Sequence, residues 1–397
     1  MAMLGVWMWA QSVQQHGAAK AVSYCSRAGI TDIFFLTKGL SGTTAHLGAY
    51  APHTSERDLL QELITAAHNK GIRVHAWFTS ACDEYYKQLY PESGRCHFVR
   101  GKDRELISLT DEGYLAYMEL ITRELCRNYE IDGLHLDYIR YNHLVYGWAD
   151  EDLVRYSAEG ADVKQLKNMM QRMFLNDPKD ENLLFEAYRN GDESTLALAR
   201  ARRKDVVRFA KTLTELARAE KSSMILSAAL MPEGAYDDIA FADLHYGQNY
   251  EDAAGLYDYA LPMAYSTAYE KDAEWVRKVA EGTIRKGLKT IIGLHAYEGG
   301  TGLSLQADIA ALRTTPVQGI CLFREGAFAM VYASKKELSV YNPTADTITH
   351  IIAGNNERTL QLEGTIQSGE EKQFRIPFEV QTIRVFANEK ELCAFLT

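Results

Sequence analysis

The 397 residues, 47% hydrophobic and 24% charged, can bury one large core and a smaller one beside it. A formal net charge of −10, with no run of five basic residues, argues against nucleic acid or an anionic membrane as partner, since both need a local excess of Lys and Arg. No apolar stretch reaches the ~20 residues of a membrane span, and the start MAMLGVWMWAQ has neither a charged leader nor a cleavage site. That places the chain in the cytoplasm if it is complete, and outside the cell or on its surface if an export signal has been removed.

Taken in chain order, short apolar runs of strand length alternate with longer helical patterns. The runs are Met3–Trp9, Asp32–Lys38, Ile72–Phe78, Gly133–Tyr138, Met224–Pro232, Tyr259–Tyr265, Thr290–Tyr297 and Gly319–Glu325. Eight such units predict a (β/α)8 barrel over residues 1–333. A doubly wound open sheet gives the same alternation, but no glycine fingerprint follows the first run. Between the strands, Ser55 is the expected cap of the helix SERDLLQELITAAHNKG, with Gly71 as its stop. EWVRKVAEGTIRKG reads as a second helix ending at Gly287.

Two segments exceed a simple unit: residues 80–108 after the third strand, and a polar helical insert at about 142–204 after the fourth. Both fall on the face where barrels carry active sites. From 334 to 397 the texture changes to short alternating runs split by turn residues, predicting a small antiparallel, sandwich-like β domain. Its aromatics, Tyr341, Phe374, Phe378, Phe386 and Phe395, suffice for a core and leave few over for an independent sugar-binding platform. The six cysteines form no CxxC or Cys/His cluster, so no metal or other cofactor is indicated. Cys82 and Cys96 bracket a short polar loop and are close enough in sequence to pair in an oxidising compartment.

The most informative stretch is YEIDGLHLDYIRYN, residues 129–142. Strand alternation puts Gly133, His135 and Asp137 on one face and Leu134, Leu136 and Tyr138 on the other; the leucines belong against helices, so His135 and Asp137 face the barrel interior. Asp132 lies about 16 Å away at the opposite end, where it reads as a turn residue. Asp137 ends a central strand at the catalytic face; the bland reading is a buried acid neutralised by Arg140.

DGLHLDYIRY, RRKDVVRFAKTLTELARAEKSSMILSAALMP, HYGQNYEDAAGLYDYALPMAYS and IIGLHAYEGG, in that order, resemble the family-10-like glycosyl hydrolases of the DUF187 group, over about residues 3–328. The resemblance implies a (β/α)8 barrel acting on bacterial carbohydrate, with a distant similarity to the α-amylase clan. In that clan the fourth strand reads Gly-x-Arg-x-Asp with the Asp as nucleophile; here Asp137 matches and His135 replaces the arginine.

Glycosidic cleavage passes through an oxocarbenium-like state, so one ionised carboxylate must face C1 or its water while a second, protonated acid serves the leaving oxygen. Asp137 is the candidate for the first role. For the second, Glu233 follows the fifth strand in LMPEG, which also reads as a surface turn, and Glu298 follows the seventh in HAYEGG. Glu325 follows the eighth, with a salt bridge to Arg324 as its plain alternative. Trp7, Trp9, Trp77, Tyr138, Tyr141, Tyr265 and Tyr297 sit at or near strand ends, where flat rings stack on sugars or simply fill the core. His75, His135, His295, Arg140 and Gln248 complete the polar candidates. The first strand lacks the His-x-His that opens many binuclear metal sites. A glycoside hydrolase of a bacterial oligo- or polysaccharide is the expectation, and a non-catalytic carbohydrate-binding or assembly barrel the alternative; oligomeric state stays open.

Overall fold

The computed structural model describes residues 3–397, apart from the side chains of 104 and 105. Eight strands form one parallel sheet: β1 (Met3–Met8), β2 (Asp32–Lys38), β3 (Arg73–Thr79), β4 (Gly133–Asp137), β5 (Ile225–Leu230), β6 (Tyr259–Pro262), β7 (Ile291–His295) and β8 (Gly319–Phe323). Their order is β6-β5-β4-β3-β2-β1-β8-β7, and bridges from Ala260 to Thr290 and from Met263 to Gly293 bring β6 against β7 and complete the barrel. The strands are where the apolar periodicity puts them.

Alternation sorts their side chains. Val6, Ile33, Phe35, Val74, Leu134, Leu136, Ile292 and Leu294 pack outward under the helices. Met3, Trp7, Phe34, Trp77, Leu261, Ile291 and Cys321 fill the interior. An eight-stranded barrel is a packed core and not a pore, and its largest filler dictates small neighbours. A Cβ at Gly293 would lie 2.9 Å from the Trp7 ring. One at Gly133 would lie 2.2 Å from His75 Nδ1.

Local signals explain the helix starts. Asp58, not Ser55, caps the helix Leu59–His68: its side chain accepts from Gln61 N, while Ser55 Oγ only accepts from Arg57 N one turn earlier. Both residues are cap types, and the apolar face beginning at Leu59 decides between them. Gly71 and Gly287 do close their helices, at φ of 70° and 83°. At the lower end Asp132 accepts from Val74 N at 2.8 Å and from His68 Nε2 at 2.9 Å, a strand-tying turn residue.

The segment after β3 forms the helix Glu84–Leu89 and a hairpin, Gly94–His97 with Gly101–Ile107. Cys82 and Cys96 are free thiols. After β4 come the helices Asp150–Ala158, Val163–Phe174 and Leu183–Arg189, which bury a core of their own with the start of the long helix Glu193–Glu220. That core includes Leu144, after β4, and Leu244, after β5, so the insert stands on the loops at the upper ends of those strands. Among the described residues no helix is long and apolar enough to cross a membrane.

Eight further strands follow: β9 (Ala329–Ala333), β10 (Glu337–Tyr341), β11 (Ile348–Gly354), β12 (Thr359–Ile366), β13 (Glu371–Arg375), β14 (Thr382–Ala387), β15 (Lys390–Leu392) and β16 (Ala394–Leu396). They form two four-stranded sheets, β13-β10-β9-β16 and β12-β11-β14-β15, antiparallel except for the β9–β16 pair. Their apolar faces meet around Val331, Val340, Ile351, Ile383 and Val385. The barrel is fixed to them by Tyr24 stacked on Tyr341, by Arg27 paired with Glu371 at 2.7 Å, and by the helix Gly302–Ala311 lying against Ile383 and Ala394.

That last helix carries a buried acid. Asp308 accepts from Ser266 Oγ at 2.6 Å, and burial, reinforced by the charge of Asp272, pushes its carboxyl up to about 6 against that hydrogen bond. A carboxyl raised on folding adds stability below its unfolded pKa, and that stability is lost as pH rises through the folded value. Asp308→Asn is expected to abolish a fall of at most about 3 kcal/mol between pH 4 and 7.5, measured by chemical denaturation at the two pH values.

Candidate active site

β4 delivers Asp137 to the upper end of the barrel, 5% exposed. Three donors meet it. Trp77 Nε1 reaches Oδ2 at 3.2 Å from β3, and Tyr138 N and Arg140 Nη1 reach Oδ1 at 2.6 and 3.2 Å. The backbone makes this possible by leaving the strand at once: Tyr138 has φ of 53°, a left-handed conformation costly for a bulky side chain and typical of functional loops. Strand alternation assigned Tyr138 to the outer face; the turn instead places it on the rim beside Arg140, whose guanidinium lies 4.5 Å from its ring centroid.

Around Asp137 is a cavity of about 270 Å³. Its floor and walls come from Trp7, Trp9, Trp77, Tyr138, Arg140 and Tyr265, all of them candidates from the sequence. Leu36, Leu40, Thr79, Ala229, Met263 and Phe323 complete it and were missed. Phe323 and Met263 were findable, since each continues the inward alternation of its strand. Tyr265 stacks on Phe323 at 5.5 Å, and burial together with the nearby Asp137 charge holds its hydroxyl well above the usual range, so it is a neutral donor. Apart from the Asp137–Arg140 pair the lining is largely apolar and aromatic.

The remaining candidates separate by position. Glu233 lies on the loop after β5, 9% exposed, and does not line the Asp137 cavity. Its Oε1 accepts from Tyr269 OH at 3.3 Å, while Oε2 is buried with no hydrogen-bond partner. Burial pushes its carboxyl up; a hydrogen bond from its own backbone, the Tyr269 hydrogen bond and the Arg140 charge pull the other way. Arg140 thus touches one carboxyl and acts on the second. Tyr269 was not anticipated, and nothing in its local sequence marks it.

Gln248 bridges two loops and has both ends of its amide engaged: Oε1 accepts from Met231 N at 2.9 Å and Nε2 donates to Ile139 O at 3.1 Å. It ties the loop of Arg140 to the loop of Glu233. Tyr141 is 1% exposed, donates to Asp205 at 2.7 Å and lies between the guanidinium groups of Arg95 and Arg202, anchoring the insert.

Two histidines are interior structure. Trp7 Nε1 donates to His135 Nε2 at 3.1 Å; an indole N–H can only donate, so the imidazole proton sits on Nδ1 and faces Ser227 Oγ at 2.9 Å. Burial keeps that ring neutral, with its pKa well below the ordinary histidine value. His75 donates to Asp32 at 2.8 Å in the lower barrel. Although burial opposes it, hydrogen bonds from His75 and Arg73 hold Asp32 at about 2.

His295 and Tyr297 lie at the β7 end, their ring centroids 3.9 Å apart, and His295 Nε2 donates to Glu298 O at 3.0 Å. The Glu298 side chain is exposed and borders a different cleft, toward the C-terminal sheets. Glu325 is fully buried behind β8, where burial pushes it up against a hydrogen bond from Ser12; it makes no salt bridge with Arg324, which stacks on Trp9 instead. Among the described residues no group of three or more His, Cys, Asp or Glu side chains is gathered to hold a metal ion.

No family model matches the sequence, and no curated protein matches it. Solved structures do resemble its fold. The glycoside hydrolase domain of PgaB (BpsB) from Bordetella bronchiseptica aligns at 13% identity over 82% of this chain and 94% of that one, with a TM-score of 0.64. A β-galactosidase from the psychrophilic Marinomonas ef1 aligns at 13% identity and a TM-score of 0.60, over 81% of this chain and 54% of the enzyme. α-L-Fucosidase isoenzyme 2 from Paenibacillus thiaminolyticus aligns at 14% identity and 0.56, over 81% and 46%. The chain spans about half the length of the last two. At these identities the likeness is one of fold: a (β/α)8 barrel of a kind that glycoside hydrolases use.

Proposed function

We propose that the protein is a glycoside hydrolase that cleaves a glycosidic bond in a bacterial oligo- or polysaccharide. One observation carries the reading: two buried carboxyls at the upper end of the barrel share Arg140, one held by three donors and the other with one oxygen unpartnered. Asp137 is met by three donors within an aromatic cavity. Glu233 is buried, raised and short of a partner. Two carboxyls in such unlike settings are what acid–base division of labour at a glycosidic bond calls for.

In this reading the sugar ring lies on the Trp9, Trp77 and Tyr265 surfaces with its anomeric carbon over Asp137, which attacks it or activates its water. Protonated Glu233 gives its proton to the leaving oxygen, and Arg140 keeps Asp137 oriented. The fold neighbours, a glycoside hydrolase domain and a β-galactosidase, support the same class. The alternative of a carbohydrate-binding barrel without catalysis is favoured by Glu233 lying outside the Asp137 cavity lining. Hydrolysis itself separates the two.

Asp137→Asn keeps the side-chain volume and removes the charge that stabilises an oxocarbenium ion. Release of reducing ends from an accepted polysaccharide is expected to fall about a thousandfold or more, with an unchanged circular-dichroism spectrum; turnover near the parent value refutes the role.

The pH profile tests Glu233. The acid must be protonated, so the rate falls as pH rises through its raised pKa. Tyr269→Phe deletes a hydrogen bond that lowers this pKa and is expected to move the basic limb of kcat to higher pH. Glu233→Gln is expected to remove the limb along with most activity, and to gain in melting temperature over the parent as pH rises from 4 to 8, because the buried carboxyl's penalty appears only on ionisation.

A further inference from the structure

A second cavity, also about 270 Å³, opens between the barrel and the C-terminal sheets. Its barrel wall holds Tyr297, Glu298 and Arg324, from the loops after β7 and β8; its opposite wall holds Asp346, in the bend before β11, and Lys390, at the start of β15. The two cavities share a partition. The Arg324 guanidinium carbon lies 3.5 Å above the centroid of Trp9, and the Tyr297 ring meets Phe323 edge-on at 5.4 Å. Trp9 and Phe323 line the Asp137 cavity, so each of these pairs has one member on either side of the partition.

The chemistry of the second cavity is balanced. Glu298, Asp346 and Glu391 offer acceptors, Arg324 and Lys390 offer donors, and Lys390 pairs with Asp346 at 3.0 Å. Glu391 is engaged by Arg384 at 2.7 Å, so the cleft's charges are nearly balanced and there is no excess of positive charge to select a phosphate or other anion. An uncharged, hydroxyl-rich ligand can use both kinds of partner at once, and the half-buried Tyr297 ring adds a flat apolar surface. The volume is near the lower end for ligand pockets, about 300 Å³.

We propose that this cleft holds further sugar units of the same chain whose scissile bond lies over Asp137, so that the C-terminal sheets are the second wall of an extended groove. The proposal rests on the hydrolase reading. It assigns Glu298 to binding hydroxyl groups at a distance from the bond cleaved, and it makes the C-terminal sheets a binding partner only in company with the barrel.

The test uses the full chain in the Asp137→Asn background, titrated calorimetrically with cello-, galacto- and N-acetylglucosamine oligosaccharides of two to six units. Ala345→Trp places a bulky ring in the cleft from an exposed position, and the pair Asp346→Ala, Lys390→Ala removes the polar side chains of the far wall. Affinity is expected to rise with length beyond the dimer. Each variant should weaken the longest oligomer of the recognised series by about tenfold and leave the dimer unchanged. Length dependence that neither variant alters overturns the proposal, as does failure of every series to bind. If Ala345→Trp weakens long oligomers that the parent protein never cleaves, the cleft stands and the hydrolase reading falls.

Discussion

The carboxylate of Asp137 and its three donors set the terms for the upper half of the molecule. A buried charge is tolerated only when paired and hydrogen-bonded, and here the partners come from the neighbouring strand β3 and from the turn that follows the acid itself. The turn is strained at Tyr138, so its neighbours must hold it. Arg95 Nη1 donates to Arg140 O at 2.8 Å, Gln248 Nε2 to Ile139 O, and Tyr141 N to Tyr246 O at 2.8 Å. These ties run to the loops after β3 and β5, so two separate loops fix one three-residue turn. The insert adds Asp205 beneath Tyr141 and the fully buried Arg202, which donates to Leu144 O and Leu244 O. Whatever else the insert contributes, it braces this turn.

Below the carboxylate the interior is filled in a way that leaves it nothing to do but support. Trp7 spans the barrel centre, bonded to His135 and occupying the space a side chain at Gly293 would need. His135 passes the bond on to Ser227, and the lower Asp32–His75–Arg73 set satisfies its own charges. Apart from His75 Nδ1, which has no hydrogen-bond partner, the polar groups of these layers are paired side to side within the barrel, and the cavity opens in the last layer, around Asp137.

How much of this could be read beforehand follows from what period can encode. Strand alternation carries direction, so the eight strands and the inward course of His135 and Asp137 were legible. Depth along a strand is harder: His75 and His135 point inward as expected, yet lie too low to meet a substrate. Loops carry no period at all. Tyr138, Tyr141 and Gln248 look alike as polar or aromatic residues in loops near the upper face, and only the turn at Tyr138 and the packing of the insert send the first to the cavity and tie up the other two. Glu233 and Glu298 follow strands at comparable distances, and the sequence offers no reason for the first to be buried and the second exposed. The cap at Asp58 was misplaced by three residues for a related reason: two cap-type residues stood in line, and the burial of Leu59 chose between them.

Buried acids elsewhere in the chain show what an acid held for structure looks like. Asp83 pairs with the fully buried Lys38 and caps a helix; Asp205 has Tyr141 and Arg155; Asp243 has Tyr188, Arg203 and Asn249. Asp83 Oδ2 lacks a hydrogen bond but has the Lys38 ammonium at 2.9 Å, whereas Glu233 Oε2 and Glu325 Oε2 have neither, a deficiency costing roughly 1–3 kcal/mol for each group. Glu325 sits beside Ser12 behind β8, and its neighbours include Cys25 and Tyr341, at the junction with the C-terminal sheets. Glu233 alone of the two is coupled through Arg140 to the carboxylate at the end of β4. Burial raises Asp243 as it raises Glu233, but three donors hold Asp243 in place, whereas in the proposed reading the unpartnered Glu233 oxygen is left free to carry and release a proton.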